Sequence, residues 1–269
     1  MWRPSTVALG RILALAAAIL VLKVTLSVVA GYRAYFPPDF EAEFLAGREA
    51  YFFGAYQWAF YAHLVAGPVS LVLGMVLVSD WFRGKFPRWH RRLGKLLIGC
   101  VLLILVPSGL WMAPYAATGA VAGAGLGLLA VATSASAVMG WRRAVARRFD
   151  EHRRWMWRLY LLLCSAVVIR VMGGLATVLG IDAEWVYPAS VWASWVGPLV
   201  ILEVAESWAH AAQYLRHSRR LASGAPPRQH SEIRDFVGVV AGDGDQGAEY
   251  RRGHGGREEL RVAIDEDGK

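Results

Sequence analysis

Ionisable side chains interrupt the long apolar runs of this sequence at Lys23, His63, Arg170, Glu203 and Glu206, with His210 just beyond. Such groups are costly in hydrocarbon, so they mark ligand or ion paths, proton relays or structural ion networks. At about 1.5 Å per helical residue, His63 lies roughly 12 Å and Arg170 about 15 Å below one boundary of their runs, with Glu203 about 25 Å below it. Arg170 is therefore expected to meet His63 or to snorkel alone, and a direct pair with Glu203 is disfavoured. Glu206 and His210 form an i,i+4 pair with Glu203 one turn away, an acidic stripe that Arg153, Arg154 or Arg158 can answer. His63, Arg170, Glu203, Glu206 and His210 thus form one candidate polar site inside the apolar runs.

A second constellation repeats. His90-Arg91-Arg92 and His152-Arg153-Arg154 stand 62 residues apart, each opening an apolar run. A helix start carries partial positive charge and free N–H groups, and arginines added there make an anion site. Lipid phosphate, an anionic substrate or a haem propionate are its candidate occupants. Bis-histidine haem needs two imidazoles at one depth on facing helices, which a pair drawn from His90, His152 and His210 can supply. No His-x-x-x-His or Cys-x-x-Cys spacing is present, so no metal site is expected, and no nucleophile motif occurs.

The elements that must carry these groups follow from composition. The chain has 269 residues, 56% hydrophobic, and a net charge of +8. That excludes a disordered chain, and two cysteines inside apolar runs exclude a disulfide scaffold. Crossing about 30 Å of hydrocarbon takes about 20 apolar residues. Six segments qualify, near 8–30, 55–79, 94–114, 117–139, 156–180 and 186–212. None alternates with a period of two, so the expected fold is all-α, a polytopic transmembrane bundle of six spans. A cleaved signal sequence competes for the first segment, given Arg3, Arg11 and a tolerable cleavage site at Val28-Val29-Ala30.

Orientation is read from the loops. Arg83, Lys85, Arg88, Arg91, Arg92 and Lys95 precede the third segment; Arg142, Arg143, Arg147, Arg148, Arg153, Arg154 and Arg158 separate the fourth and fifth; Arg216, Arg219 and Arg220 follow the sixth. The opposite connections hold Asp39, Glu41, Glu43, Glu49, Asp182 and Glu184, with Arg33 and Arg48. The positive-inside rule places both termini and the arginine-rich ends in the cytoplasm. Residues 1–221 form the membrane domain. Residues 222–269, rich in Gly, Arg, Asp and Glu, read as a disordered cytoplasmic tail. Tyr32, Tyr35, Phe36 and Tyr51 to Phe53 on one side, and Trp81, Trp89, Trp155 and Trp157 on the other, read as interfacial aromatic belts. Gly119, Gly123 and Gly127 recur every fourth residue, forming a smooth face for packing within the chain or for a homodimer. Membrane lipids are the expected partners, and nucleic acid is not.

His63, then Arg83, Pro87, His90, Arg91 and Gly94, then His152, Arg153, Trp155, Met156, Arg158 and Tyr160, then Arg170 and a Glu at 203 or 206 together resemble the bacterial membrane-protein family called domain of unknown function 2306. The pattern covers roughly half of the chain. It departs at Gly74-Met-Val-Leu, where a Gly-Pro-Phe-Gln-like end is usual, and at Leu97, where an aromatic is usual. The resemblance implies a multi-span protein of the bacterial inner membrane and brings no established activity. Three roles then compete: a small-ligand-binding or transport-like membrane protein, a b-type haem or quinone redox protein, and an enzyme acting on lipid headgroups at the arginine rim.

Overall fold

The computed structural model describes residues 6–42 and 44–222, apart from the side chains of 6, 7, 209, 210, 213, 216, 217 and 219–222. Its helices are α1 (Thr6–Gly31), α2 (Glu49–Phe52), α3 (Ala55–Val78), α4 (Asp80–Lys85), α5 (Pro87–Cys100), α6 (Val106–Met112), α7 (Ala120–Val145), α8 (Phe149–Leu163), α9 (Ser165–Val178) and α10 (Val186–Ala222). A π turn, Val101–Leu105, joins α5 to α6. The described residues fall in two units, 15–222 as one compact unit and 6–14 of α1 in the other. The tail from 223, including the expected disordered segment, lies outside the described residues.

Six stretches are long and apolar enough to cross a membrane: Ala8–Ala34, Ala55–Val78, Pro87–Tyr115, Ala120–Val145, Phe149–Val178 and Val186–Trp208. In hydrocarbon, every backbone N–H and C=O needs an internal partner, which a helix supplies along its whole length. The third stretch chains α5, the π turn and α6; the fifth chains α8 and α9. Pro87 begins α5, where its missing N–H costs no hydrogen bond. Gly180 closes α9 with φ +65°, a conformation that only glycine adopts freely.

The repeat of the His-Arg-Arg triplet extends into the helices. Pro87 and Phe149, the first residues of α5 and α8, are also 62 apart, so His90 and His152 are each the fourth residue of their helix. Carried forward by the same offset, the π turn falls on residues 163–167, where α8 yields to α9 at Cys164.

α8 lies at the centre of the bundle, packed against α3, α7 and α10. Leu159 and Leu163 of α8, Leu71 of α3, Leu97 of α5, Val101 of the π turn, Ala137 of α7, Val167 of α9 and Val21 of α1 lie in one buried cluster. Close approach is bought by glycines. A Cβ on Gly125 of α7 would stand 2.8 Å from Val191 Cγ1 and 3.0 Å from Trp192 Nε1, both on α10. One on Gly74 of α3 would stand 3.2 Å from the Tyr160 ring of α8. Gly123, part of the anticipated smooth face, packs within the chain, since its Cβ would lie 2.7 Å from Ala113 O. Gly119 precedes α7 at φ +85°.

The first acidic connection is more than a belt. Leu45, Phe52, Tyr56 and Phe60 are buried together, with Tyr35, Phe40 and Tyr51 packed on them. Phe36 and Phe53 alone among the expected belt residues there remain exposed phenylalanines, at 60% and 64%.

Candidate functional site

The first turns of α8 gather the arginine-rich end. Ser79 caps α4 by accepting a hydrogen bond from Phe82 N, which sets Asp80 in the first turn. Arg153 Nη2 donates to Asp80 Oδ2 at 2.7 Å, and Arg83 Nη2 lies 2.8 Å from Asp80 Oδ1. Glu151 is held by Arg148 and by Arg143 at 3.0 Å, so the partial positive charge at the start of α8 already faces a carboxylate. Arg91 and Arg92 are exposed, with the Arg92 guanidinium 5.7 Å from the Trp89 ring centre; Arg154 is half-buried.

Two imidazoles stand among these charges. His152 Nδ1 is 2.9 Å from Gly140 O. A carbonyl oxygen only accepts, so Nδ1 carries the proton and, in the neutral ring, Nε2 keeps the lone pair. The carbonyl is reachable because Gly140 has no side chain; Trp155 and Met156 fill that space. His90 is half-buried, and its Nδ1 is buried with no hydrogen-bond partner among the described residues. The charged or titratable groups within electrostatic range of its ring are His152, Arg83 and Arg91.

Further along α8, Arg158 reaches α10. Its Nε donates to Glu203 Oε1 at 2.6 Å and its Nη2 to Glu206 Oε2 at 2.9 Å, while the guanidinium lies 5.1 Å from the Trp155 ring centre. Arg158 is thus the arginine that answers the acidic stripe; Arg153 is taken by Asp80. The His210 side chain, the third member of that stripe, lies outside the described residues.

His63 sits apart from both groups. Its Nδ1 is 3.1 Å from Ser108 Oγ, and Ser108 Oγ donates to Ile104 O at 2.6 Å. The hydroxyl proton being committed there, His63 Nδ1 is the donor. The pair lies beside Pro107 and the π turn, where the helical ladder is broken and carbonyls need other donors. Arg170 does not bond to His63. It is exposed, and Nη1 donates to Ala166 O at 3.1 Å on its own helix. The four candidates whose side chains are described therefore separate into the Glu203–Glu206 pair on Arg158, the His63–Ser108 pair, and Arg170. Among the described residues, no three His, Cys, Asp or Glu side chains are grouped to hold a metal ion.

One arginine with a structural task was missed by reading loops for charge. Arg48 is 7% exposed and donates to Phe44 O at 2.7 Å, Tyr115 O at 2.6 Å, Tyr51 Oη at 3.0 Å and Tyr56 Oη at 3.3 Å. It pins the acidic-side connection to the end of the third stretch. The signal available was a basic residue amid aromatics, which marks a cation–π seat as readily as a boundary.

A family model described as predicted membrane protein (DUF2306) matches residues 60–205, which is more than half of the chain. The match runs from Phe60 of α3 to Ala205 of α10 and takes in His63, His90, His152, Arg158, Arg170 and Glu203. No curated protein and no solved structure matches this chain.

Proposed function

We propose, for a chain that belongs to this family of predicted membrane proteins (DUF2306), a small-ligand-binding or transport-like role in a bacterial cytoplasmic membrane. Both termini and the arginine-rich end face the cytoplasm in this reading, because the basic connections fall on one side of all six spans. The ligand seat is the His90–His152 cluster between α4, α5, α7 and α8.

The observation that carries the reading is His90 Nδ1, buried without a partner beside a second imidazole. Leaving a buried polar atom unpaired costs about 1–3 kcal/mol, which a bound ligand would offset. Arg83 and Arg91 favour a ligand with negative charge. Native mass spectrometry of the gently solubilised full chain tests this. A non-covalent mass on the wild type that His90→Ala loses is the expected result; a bare chain in both overturns the reading.

A second reading, a b-type haem protein, is favoured by His152. Its Nδ1–H···O=C bond is the outer-shell arrangement of metal-bound imidazoles and leaves Nε2 free for an axial bond. His90, at the matching helix position, is the other axial candidate. Haem would supply one-electron chemistry; Arg91, Arg92 and Arg154 would face its propionates, while Arg153 stays with Asp80. After haem-supplemented expression, a Soret band lost in His152→Ala supports this reading, and its absence from the wild type sinks it.

A further inference from the structure

Arg170 presents a different problem at the opposite end of the bundle. Helical side chains lean towards the N-terminus of their helix, and α9 runs from the middle of the span towards the acidic end. Arg170 accordingly reaches back to Ala166 O instead of outward. Ala166 is 12 residues before Val178, which places the guanidinium about 18 Å inside the end of the span. Its side chain is exposed, has five N–H donors and makes one hydrogen bond among the described residues. None of the six described ion pairs includes it.

The groups around Arg170 among the described residues supply hydroxyls and an imidazole. Tyr32 after α1, His63 of α3 and Tyr187 of α10 lie within electrostatic range of Arg170. Arg48 acts on the same Tyr187. The internal repeat sharpens the contrast. Carried forward by 62 residues, Ser108 maps onto Arg170 and Ile104 onto Ala166, so the two i−4 bonds correspond. His63, which completes the first pair, maps onto Gly125, which has no side chain to offer. Beyond Arg170, Gly173 and Gly174 face open space, and Gly173 lines a hollow of about 470 Å³ with Ala176, Thr177 and Tyr187.

We propose that Arg170 seats the acidic head of a lipid-like amphiphile, its apolar tail lying in the open space along Gly173 and Gly174. A cation in hydrocarbon is stabilised by an anion, and a guanidinium matches a carboxylate or a phosphodiester through two parallel bonds. A neutral ligand would leave the charge uncompensated. Asp182 and Glu184 at the mouth of the hollow repel an anion arriving from water, so entry is from the bilayer.

The full chain in detergent is titrated separately with oleate and with phosphatidylglycerol, counting retained molecules by native mass spectrometry. One molecule of one of the two probes is expected to bind to wild type with an affinity that falls about tenfold to a hundredfold in Arg170→Gln, the size of a lost charge-assisted bond. Which probe responds identifies a carboxylate or a phosphodiester. Gly174→Leu fills that open space and leaves Arg170 in place; it is expected to lose the same molecule with an unchanged melting temperature in detergent alone. Equal retention of both probes by wild type, Arg170→Gln and Gly174→Leu overturns the proposal. So does a dimer of the wild type that dissociates in Arg170→Gln, which would identify a second copy as the cover.

Discussion

Arg158 shows what an ionisable residue must find inside an apolar bundle. Its guanidinium, 15% exposed, is shared by Glu203 at 54% and Glu206 at 22%. The more exposed partner is screened and contributes less; the less exposed one depends more on its cation. Glu206→Gln is therefore expected to lower stability more than Glu203→Gln. Arg158→Leu should cost about 1.5–3 kcal/mol, the range for hydrogen bonds to charged groups. Thermal unfolding in detergent reads both, and equal melting temperatures for wild type and Arg158→Leu would contradict the network. Residues of this kind are only partly legible in sequence. Spacing placed Glu203 and Glu206 on one face and named Arg158 among three candidates. It could not choose, because Arg153 and Arg158 lie on one helix and only Asp80, far off in sequence, claims the former. Arg170 and His63 share a depth, yet the lean of side chains along α9 turns the arginine away from the histidine.

At the scale of elements, existence and order were legible and irregularities were not. Six apolar stretches announce six spans because each must satisfy its own backbone in lipid. The π turn at Val101–Leu105 carries no comparable signal beyond Pro107, and the α8–α9 break at Cys164 carries none. The small residues that set helix approach were legible only in part. The four-residue spacing of Gly119, Gly123 and Gly127 drew attention, whereas the α7–α10 contact turns on Gly125, which is outside that spacing. Period alone marks a face without saying which neighbour it meets. Gly125→Ala is expected to lower stability by about 1–3 kcal/mol through overpacking against Val191 and Trp192. Gly173→Ala, with nothing within 4 Å, should leave the melting temperature unchanged or raise it slightly. The reverse order of the two variants would contradict the packing.

For the whole molecule, the repeat and the charge asymmetry are one design. Two helices that start at Pro87 and Phe149 place His90 and His152 at the same end, within electrostatic range of each other. The arginines that open these helices are also the residues from which the orientation of every span is inferred. A membrane that inserted the bundle the other way round would put the His90–His152 cluster, the Asp80–Arg153 pair and the Glu151 cluster outside. Alkaline phosphatase and green fluorescent protein fused in turn after Lys85, Arg147, Leu179 and Ala222 of the full chain test this most directly. Fluorescence without phosphatase activity is predicted at Lys85, Arg147 and Ala222, and phosphatase activity without fluorescence at Leu179. Phosphatase activity at the arginine-rich positions would contradict the account.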